Sequence, residues 1–154
     1  MTIVRGCDFP DGLFYDVATH TWYQPADEGL VRFGITRVGL ALAREVLVFT
    51  PKRVGHECEK GRSVATMESA KWVGSVRIAF DGTVVAINEA LIQRPVIINE
   101  DCYGGGWMLL VRPAAASWRD ALIPGTALAE AYEAWMEREA FPGCGPDGQM
   151  AAFF

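Results

Sequence analysis

The sequence predicts a mainly β protein: a compact barrel or sandwich followed by a short helical segment. From Gly12 to Pro113 the chain is a run of short stretches rich in β-branched and aromatic residues, each bounded by Gly, Asp or Asn, the pattern of closely spaced strands and turns. After Pro113 this punctuation gives way to helical spacing. With 154 residues, 51% of them apolar, the chain can bury one ordinary core without staples.

Strands are predicted over residues 13–17, 21–24, 30–33, 45–49, 63–67, 73–80, 83–88 and 107–112. Between the third and fourth, residues 38–44 (VGLALAR) set Leu40 and Ala43 three apart with no turn former after Gly39, so a short helix is expected over one end of the barrel. Ser117 is placed to cap a helix holding Trp118, Ala121 and Leu122, which Pro124-Gly125 then breaks. In residues 126–139, Leu128, Tyr132, Trp135 and Met136 share one face and Glu130, Glu133 and Glu137 the opposite one, so a second helix should pack on the β core. Residues 142–154 have turn formers and no period. The expected division is a β domain over 1–113, helices packed on it over 114–141, and a flexible tail over 142–154.

A formal charge of −5 argues against nucleic acid as a partner, because neutralising phosphates needs an excess of Lys and Arg gathered on one face. No apolar stretch matches a bilayer span and the first residues lack a leader-like apolar region, so a cytoplasmic protein without membrane insertion is expected. Cys7, Cys58, Cys102 and Cys144 are scattered, with no C-x-x-C pair and no His cluster. Reduced thiols and no metal site are therefore expected.

The stretch GRSVATMESAKWVGSVRIAFDG carries the candidate chemistry, because two alternating arms flank Glu68-Ser69-Ala70-Lys71. Val64 and Thr66 alternate with Ala65 and Met67 before the turn, and Val76, Ile78 and Phe80 with Ser75, Arg77 and Ala79 after it. Lys71 thus falls at a hairpin tip, where a long amine is open to modification and its arm free to sweep. Alternation alone gives no more than an exposed lysine.

Other candidates read as structural. His20 has no Ser or Asp constellation around it and is expected to be partly buried and hydrogen-bonded near Trp22. Cys7 and Cys102 read as structural thiols rather than relays to the arm. Gly104-Gly105-Gly106 precedes a strand rather than a helix, so it is a turn and not a phosphate loop. With no convergent nucleophile, base or carboxylate pair, no catalytic residue is assigned and turnover by the isolated chain is not expected.

Glu68-Ser69-Ala70-Lys71-Trp72 resembles the Glu-Ser-Val-Lys-Ala lipoylation turn of the glycine cleavage system H protein family, and not the Met-Lys-Met turn of biotinyl carriers. The resemblance extends from about Gly12 to Trp135. Gly34-Ile35-Thr36, the 47–55 stretch LVFTPKRVG, the 82–91 stretch GTVVAINEAL and Ala131-Tyr132 are similar to family motifs. So is the 98–107 stretch INEDCYGGGW, with Cys102 where Pro is typical.

The resemblance implies a lipoyl/biotinyl-type barrel-sandwich hybrid, with lipoic acid covalently on Lys71 and Glu68 and Ser69 flanking it. It implies a carrier that is a cosubstrate of partner enzymes: a lipoate ligase or transferase, the enzymes that use the arm, and a partner that reoxidises the dithiol. Acylation would remove the Lys71 charge and leave Glu68 beside an apolar arm, so a partner with a basic rim is expected. Where the family has His-Glu-Trp-Val, with the Glu holding the amine of the loaded arm, this chain has His20-Thr21-Trp22-Tyr23, and Thr21 cannot make that charge-assisted contact. Ala70, Trp72 and Gly74-Ser75-Val76-Arg77-Ile78-Ala79 also depart from the family pattern.

With these departures and its Cys7-Asp8-Phe9-Pro10-Asp11-Gly12 start, the chain looks most like the divergent lipoate-binding proteins that serve a heterodisulfide-reductase-like complex in sulfur oxidation. On that reading the arm carries sulfur, and Thr21→Glu would improve aminomethylation. The alternatives are an H protein carrying the aminomethyl group for glycine cleavage enzymes, and an unlipoylated adaptor.

Overall fold

The computed structural model describes residues 1–70, 72–146 and 150. In chain order the elements are β1 (Thr2–Val4), β2 (Cys7–Phe9), β3 (Phe14–Asp16), β4 (Thr21–Pro25), β5 (Val31–Ile35), α1 (Arg37–Ala43), β6 (Val48–Pro51), β7 (Glu57–Cys58), β8 (Ser63–Glu68) and β9 (Val73–Arg77). There follow β10 (Gly82–Ile87), α2 (Ala90–Gln93), α3 (Ile97–Glu100), β11 (Leu109–Pro113), β12 (Ile123–Pro124) and α4 (Leu128–Arg138). The larger sheet runs β12-β3-β4-β5-β11-β10-β7, the smaller β6-β8-β9, and β1-β2 is a separate hairpin. Every pair is antiparallel.

The two main sheets share one core, in which Tyr23, Val31, Phe33 and Val111 of the larger meet Phe49, Met67 and Val76 of the smaller. A second apolar layer lies on the other side of β3 and β4. There Tyr15 and Trp22 pack with Val38 and Ala41 of α1, Leu128, Tyr132 and Met136 of α4, and Val4 and Phe9 of the β1-β2 hairpin. This double covering explains why Thr21, Trp22 and Tyr23 are all buried in a strand that would otherwise alternate. Each large side chain so buried contributes roughly 1.5–3 kcal/mol relative to exposure. The β3-β4 part of the larger sheet is thus covered on both faces, while Arg32 of β5 and Arg112 of β11 stay exposed, and the smaller sheet is covered on its inner face.

All eight expected strands form, with shifted ends whose causes are local. The strand expected from Glu45 begins at Val48 because Asn99 holds the preceding turn, its Nδ2 donating to the Arg44 carbonyl at 2.9 Å and its Oδ1 accepting from Val46 N–H at 2.9 Å. A register shift between Ser63 and Ala65 turns Val64 and Ala65 both inward, where simple alternation would expose one. Helix α1 falls one residue earlier than expected, because the Thr36 hydroxyl caps it by accepting from Gly39 N–H at 3.3 Å. Ser117 is not a cap: it lies inside a 3-10 turn, Ala116–Arg119, with no side-chain capping bond. The C-terminal helix is also shorter than expected, because residues Gly125–Ala127 form a 3-10 turn before it.

The expectation of reduced thiols is overturned at two of the four cysteines, where Cys7 and Cys144 form a disulfide. The chain around it is fitted for close crossing. Gly6 and Gly143 both have positive φ, a Cβ on either would collide with the opposing backbone, and Cys144 N–H donates to the Arg5 carbonyl at 2.9 Å. The Arg5 guanidinium also donates to Glu133 on α4 and to the Phe141 carbonyl. The segment expected to be loose from Pro142 is therefore tied at Cys144, with Phe141 and Cys144 buried. Residues 147–149 and 151–154 of that expected tail lie outside the described residues.

Candidate lipoyl-bearing hairpin

β8 and β9 pair as Thr66 with Ser75, Met67 with Gly74 and Glu68 with Val73. Beyond the last pair the Ser69 N–H donates to the Trp72 carbonyl at 2.8 Å, closing the four-residue segment 69–72. Buried Met67 and Val76 root the hairpin in the core, and β6 braces it from the other side, with Val48 paired to Glu68 and Leu47 N–H donating to the Glu68 carbonyl at 2.8 Å. The end of the hairpin is thus fixed by ladder bonds on both flanks of β8. Ser69 is half-buried, and Glu68 and Ala70 are exposed. Lys71 itself lies outside the described residues.

Apolar surface collects at this end of the smaller sheet: Leu47 is 52% exposed, Val48 43%, Trp72 39% and Val73 67%. The Trp72 indole crosses Gly74, where a Cβ would stand 1.9 Å from the Trp72 Cζ2. Trp72 and Gly74 therefore act as a pair. Reasoning from the sequence set each aside as a departure from a motif, although a Trp two positions before a Gly in a strand is a signal for such ring-over-backbone packing.

Other candidates are placed elsewhere. The Thr21 hydroxyl is fully buried and saturated, 2.8 Å from Thr19 Oγ1 and 2.9 Å from the Tyr23 hydroxyl. The chain of hydroxyls runs from Asp16, which accepts from Thr19 at 2.7 Å, to Tyr23, which accepts from Ala79 N–H at 2.9 Å. Thr21 thus locks β4 to the segment after β9 and presents no group to a cargo.

His20 is half-buried and hydrogen-bonded, its partner Tyr132 lying in the same apolar layer as Trp22. Its Nδ1 is 2.9 Å from the Tyr132 hydroxyl and its ring packs edge-on against Trp135, both on α4. Burial drives the imidazole pKa down to about 4. The sulfur of Cys7 is already bonded to Cys144, and Cys102 is buried with its thiol pushed up to about 12, so neither offers a thiolate. Gly104–Gly106 is a turn as expected, held by the Asp101 carboxylate accepting from Gly105 N–H at 2.8 Å and by Asn88 Nδ2 donating to the Gly105 and Trp107 carbonyls. No helix among the described residues is long and apolar enough to cross a membrane.

Comparison with known proteins gives a consistent result. The profile described as Glycine cleavage H-protein matches residues 14–137. The chain is 44% identical over 118 residues to glycine cleavage system H protein 5 of Aquifex aeolicus, covering 74% of this chain and 79% of that protein. Over 137 residues it is 37% identical to H protein 2 of the same organism, covering 88% and 84%. It is 40% identical over 105 residues to probable glycine cleavage system H protein 3 of Sulfolobus acidocaldarius, covering 68% and 71%. Among solved structures it is similar to a glycine cleavage system H protein from Mycobacterium marinum, with a TM-score of 0.72 and 28% identity over 81% of this chain and 99% of that one. With a mainly β fold of this architecture and a profile match over most of its length, the chain belongs to the glycine cleavage H-protein family.

Proposed function

We propose that this chain is a carrier rather than a catalyst, bearing lipoic acid in amide linkage on Lys71 and presenting it to the enzymes of a glycine cleavage system, with an aminomethyl group as cargo. The observation that supports this most is the hairpin end, where the Glu68–Val73 pair and the Ser69–Trp72 hydrogen bond hold the short segment containing Lys71 on a braced sheet. The surroundings fit a lipoyl arm. Glu68 and Ser69 precede the lysine, and Leu47, Val48, Trp72 and Val73 give an apolar surface against which the aliphatic arm can rest.

When bound, the dithiolane supplies a disulfide able to accept a group and to be reset by thiol–disulfide exchange. The residues of the chain do the rest: the ladder fixes where the arm is rooted, and the free thiols of Cys58 and Cys102 are buried, with burial pushing them up to about 11 and about 12, so neither offers a thiolate to the cofactor's disulfide. The test is loading of the unmodified protein by a lipoate–protein ligase with ATP and lipoate, read by intact mass. One adduct on the wild type and none on Lys71→Arg is expected. No adduct on the wild type, or an adduct that survives Lys71→Arg, would favour an unlipoylated adaptor or another lysine.

A second reading, transport of sulfur for a heterodisulfide-reductase-like complex, is favoured by one observation. The residue in place of the family's amine-binding Glu is Thr21, which is buried, uncharged and saturated by Thr19 and Tyr23. The relatives described above are named for glycine cleavage, so aminomethyl transfer takes precedence. Glycine decarboxylase assayed on the lipoylated protein separates the two: aminomethylation supports the first reading, and none, with a persulfide on the reduced arm after transfer of the outer sulfur from a thiol persulfide donor, which leaves as the thiol, supports the second.

A further inference from the structure

The outer face of the smaller sheet is bare and graded. Across its strands lie a row of Val48, Glu68 and Val73 at the hairpin end, then a row of Thr50, Thr66 and Ser75, all exposed. At the far end stand cations. Lys52 follows β6, Arg53 is next to it, and Arg77 sits opposite Ser63 in the ladder. Among the described residues none of these three has a carboxylate within ion-pair distance.

Thr50, Lys52, Arg53, His56, Ser63 and Thr66 line an open cleft of about 390 Å³ whose lining includes no carboxylate. The neighbouring cleft, beyond Lys52, does include Glu57 and Glu59, and Glu59 is paired with Arg62. On a chain of net charge −5, the described residues of this uncovered face set three cations without a carboxylate partner against Glu68, with Glu57 and Glu59 in the cleft on the other side of Lys52, a local reversal of sign.

We infer that this bare face is where the enzyme that acylates Lys71 docks, through carboxylates placed against Lys52, Arg53 and Arg77. The inference rests on the lipoyl reading of Lys71. Position and charge both point to that occupant. Four residues of extended strand separate Val48 from Lys52, about 13 Å, whereas a standard protein interface of roughly 800 Å² per partner has a radius of about 16 Å. An interface of that size that runs from the hairpin end along the sheet face therefore takes in the cations as well.

In the loading step the neutral Lys71 amine attacks the carbonyl carbon of an activated lipoyl donor such as an acyl adenylate. The new C–N bond replaces the C–O bond to phosphate, AMP leaves with the electron pair, and the lysine proton passes to solvent. The lysine ammonium of the free protein thus sheds one proton before attack and a second as the amide forms, so the loaded residue carries no charge. An acidic docking surface holds the unmodified face more tightly than the product, which favours release after loading.

The test uses a purified lipoate–protein ligase with ATP and lipoate on the wild type, Lys52→Glu/Arg53→Glu and, as a control on the exposed face of α4, Glu130→Lys. Circular dichroism checks that each is folded. The double variant should lose about fivefold or more in kcat/KM with little change in kcat, and the wild-type rate should fall from about 50 to 300 mM salt while that of the double variant does not. Glu130→Lys should load like the wild type. Loading of the double variant at the wild-type rate, or an equal loss in Glu130→Lys, overturns the docking face while leaving the lipoyl site intact. A wild type that accepts no lipoate overturns both.

Discussion

The indole of Trp72 lies across Gly74, so close that a Cβ at position 74 would fall 1.9 Å from its Cζ2. A ring parked on its own strand covers backbone at the root of the tip while keeping 39% of its surface in solvent. Gly74→Ala should evict it. Because the obstructing atoms are the far end of an exposed side chain, the cost is expected to be about 1 kcal/mol or less. Thermal melts should show little change while acrylamide quenching of tryptophan fluorescence rises. A large loss of Tm would show instead that the ring is held as tightly as a core residue.

Joining Cys7 to Cys144 closes a loop across 137 residues of sequence. In the chain-entropy description such a crosslink stabilises by up to about 5 kcal/mol, and native disulfides commonly by 2–5. Cys144→Ser should lower Tm by roughly 5–15 °C. Thiol titration of the denatured, unreduced protein should count only Cys58 and Cys102. Finding all four cysteines titratable in protein isolated without reductant would refute the crosslink.

His20 predicts how the protein responds to acid. Its imidazole titrates near 4 in the folded chain, against an ordinary 6.5. The unfolded chain therefore takes up a proton between pH 6.5 and 4 that the folded chain refuses. Stability should fall as pH drops through that window, by on the order of 3 kcal/mol at most. His20→Asn, which suits the positive φ at this position, should flatten the acid limb of a Tm-against-pH curve. An unchanged limb would assign the acid sensitivity elsewhere.

Thr21→Glu was attractive from sequence as a repair of the family's amine-binding motif. The buried, saturated hydroxyl at that position leads to the opposite expectation. A carboxylate there would be desolvated and would strip partners from Thr19 and Tyr23, at a cost of about 3 kcal/mol or more. Chemical denaturation should show a lower midpoint. A variant as stable as the wild type, with improved aminomethylation, would mean that position 21 reaches the cargo after all.

What was legible in the sequence follows the physics of each feature. Strands with several β-branched or aromatic residues announce themselves, and so does the apolar stripe of Leu128, Tyr132 and Met136. The three residues each of β1 and β2, and the four each of α2 and α3, are too short to carry a period. The Cys7–Cys144 bond joins segments at opposite ends of the chain, and only the folded crossing at Gly6 and Gly143 brings them together. His20 was expected to be hydrogen-bonded near Trp22, but its partner, Tyr132, is 112 residues away in sequence and only the fold identifies it. Lys52 and Arg53 are adjacent in the sequence, but pairing across β8 is what adds Arg77 to their face. Alternation alone located the hairpin, and family motifs alone made its lysine a lipoyl site.

The most direct measurement of the central claim is tryptic mapping of the protein purified from its native host. Acylation of Lys71 blocks cleavage there, so the account predicts an uncut peptide from Ser63 to Arg77 carrying one lipoyl amide on Lys71. Recovery of separate unmodified 63–71 and 72–77 peptides, with no lipoyl adduct anywhere in the chain, would contradict it.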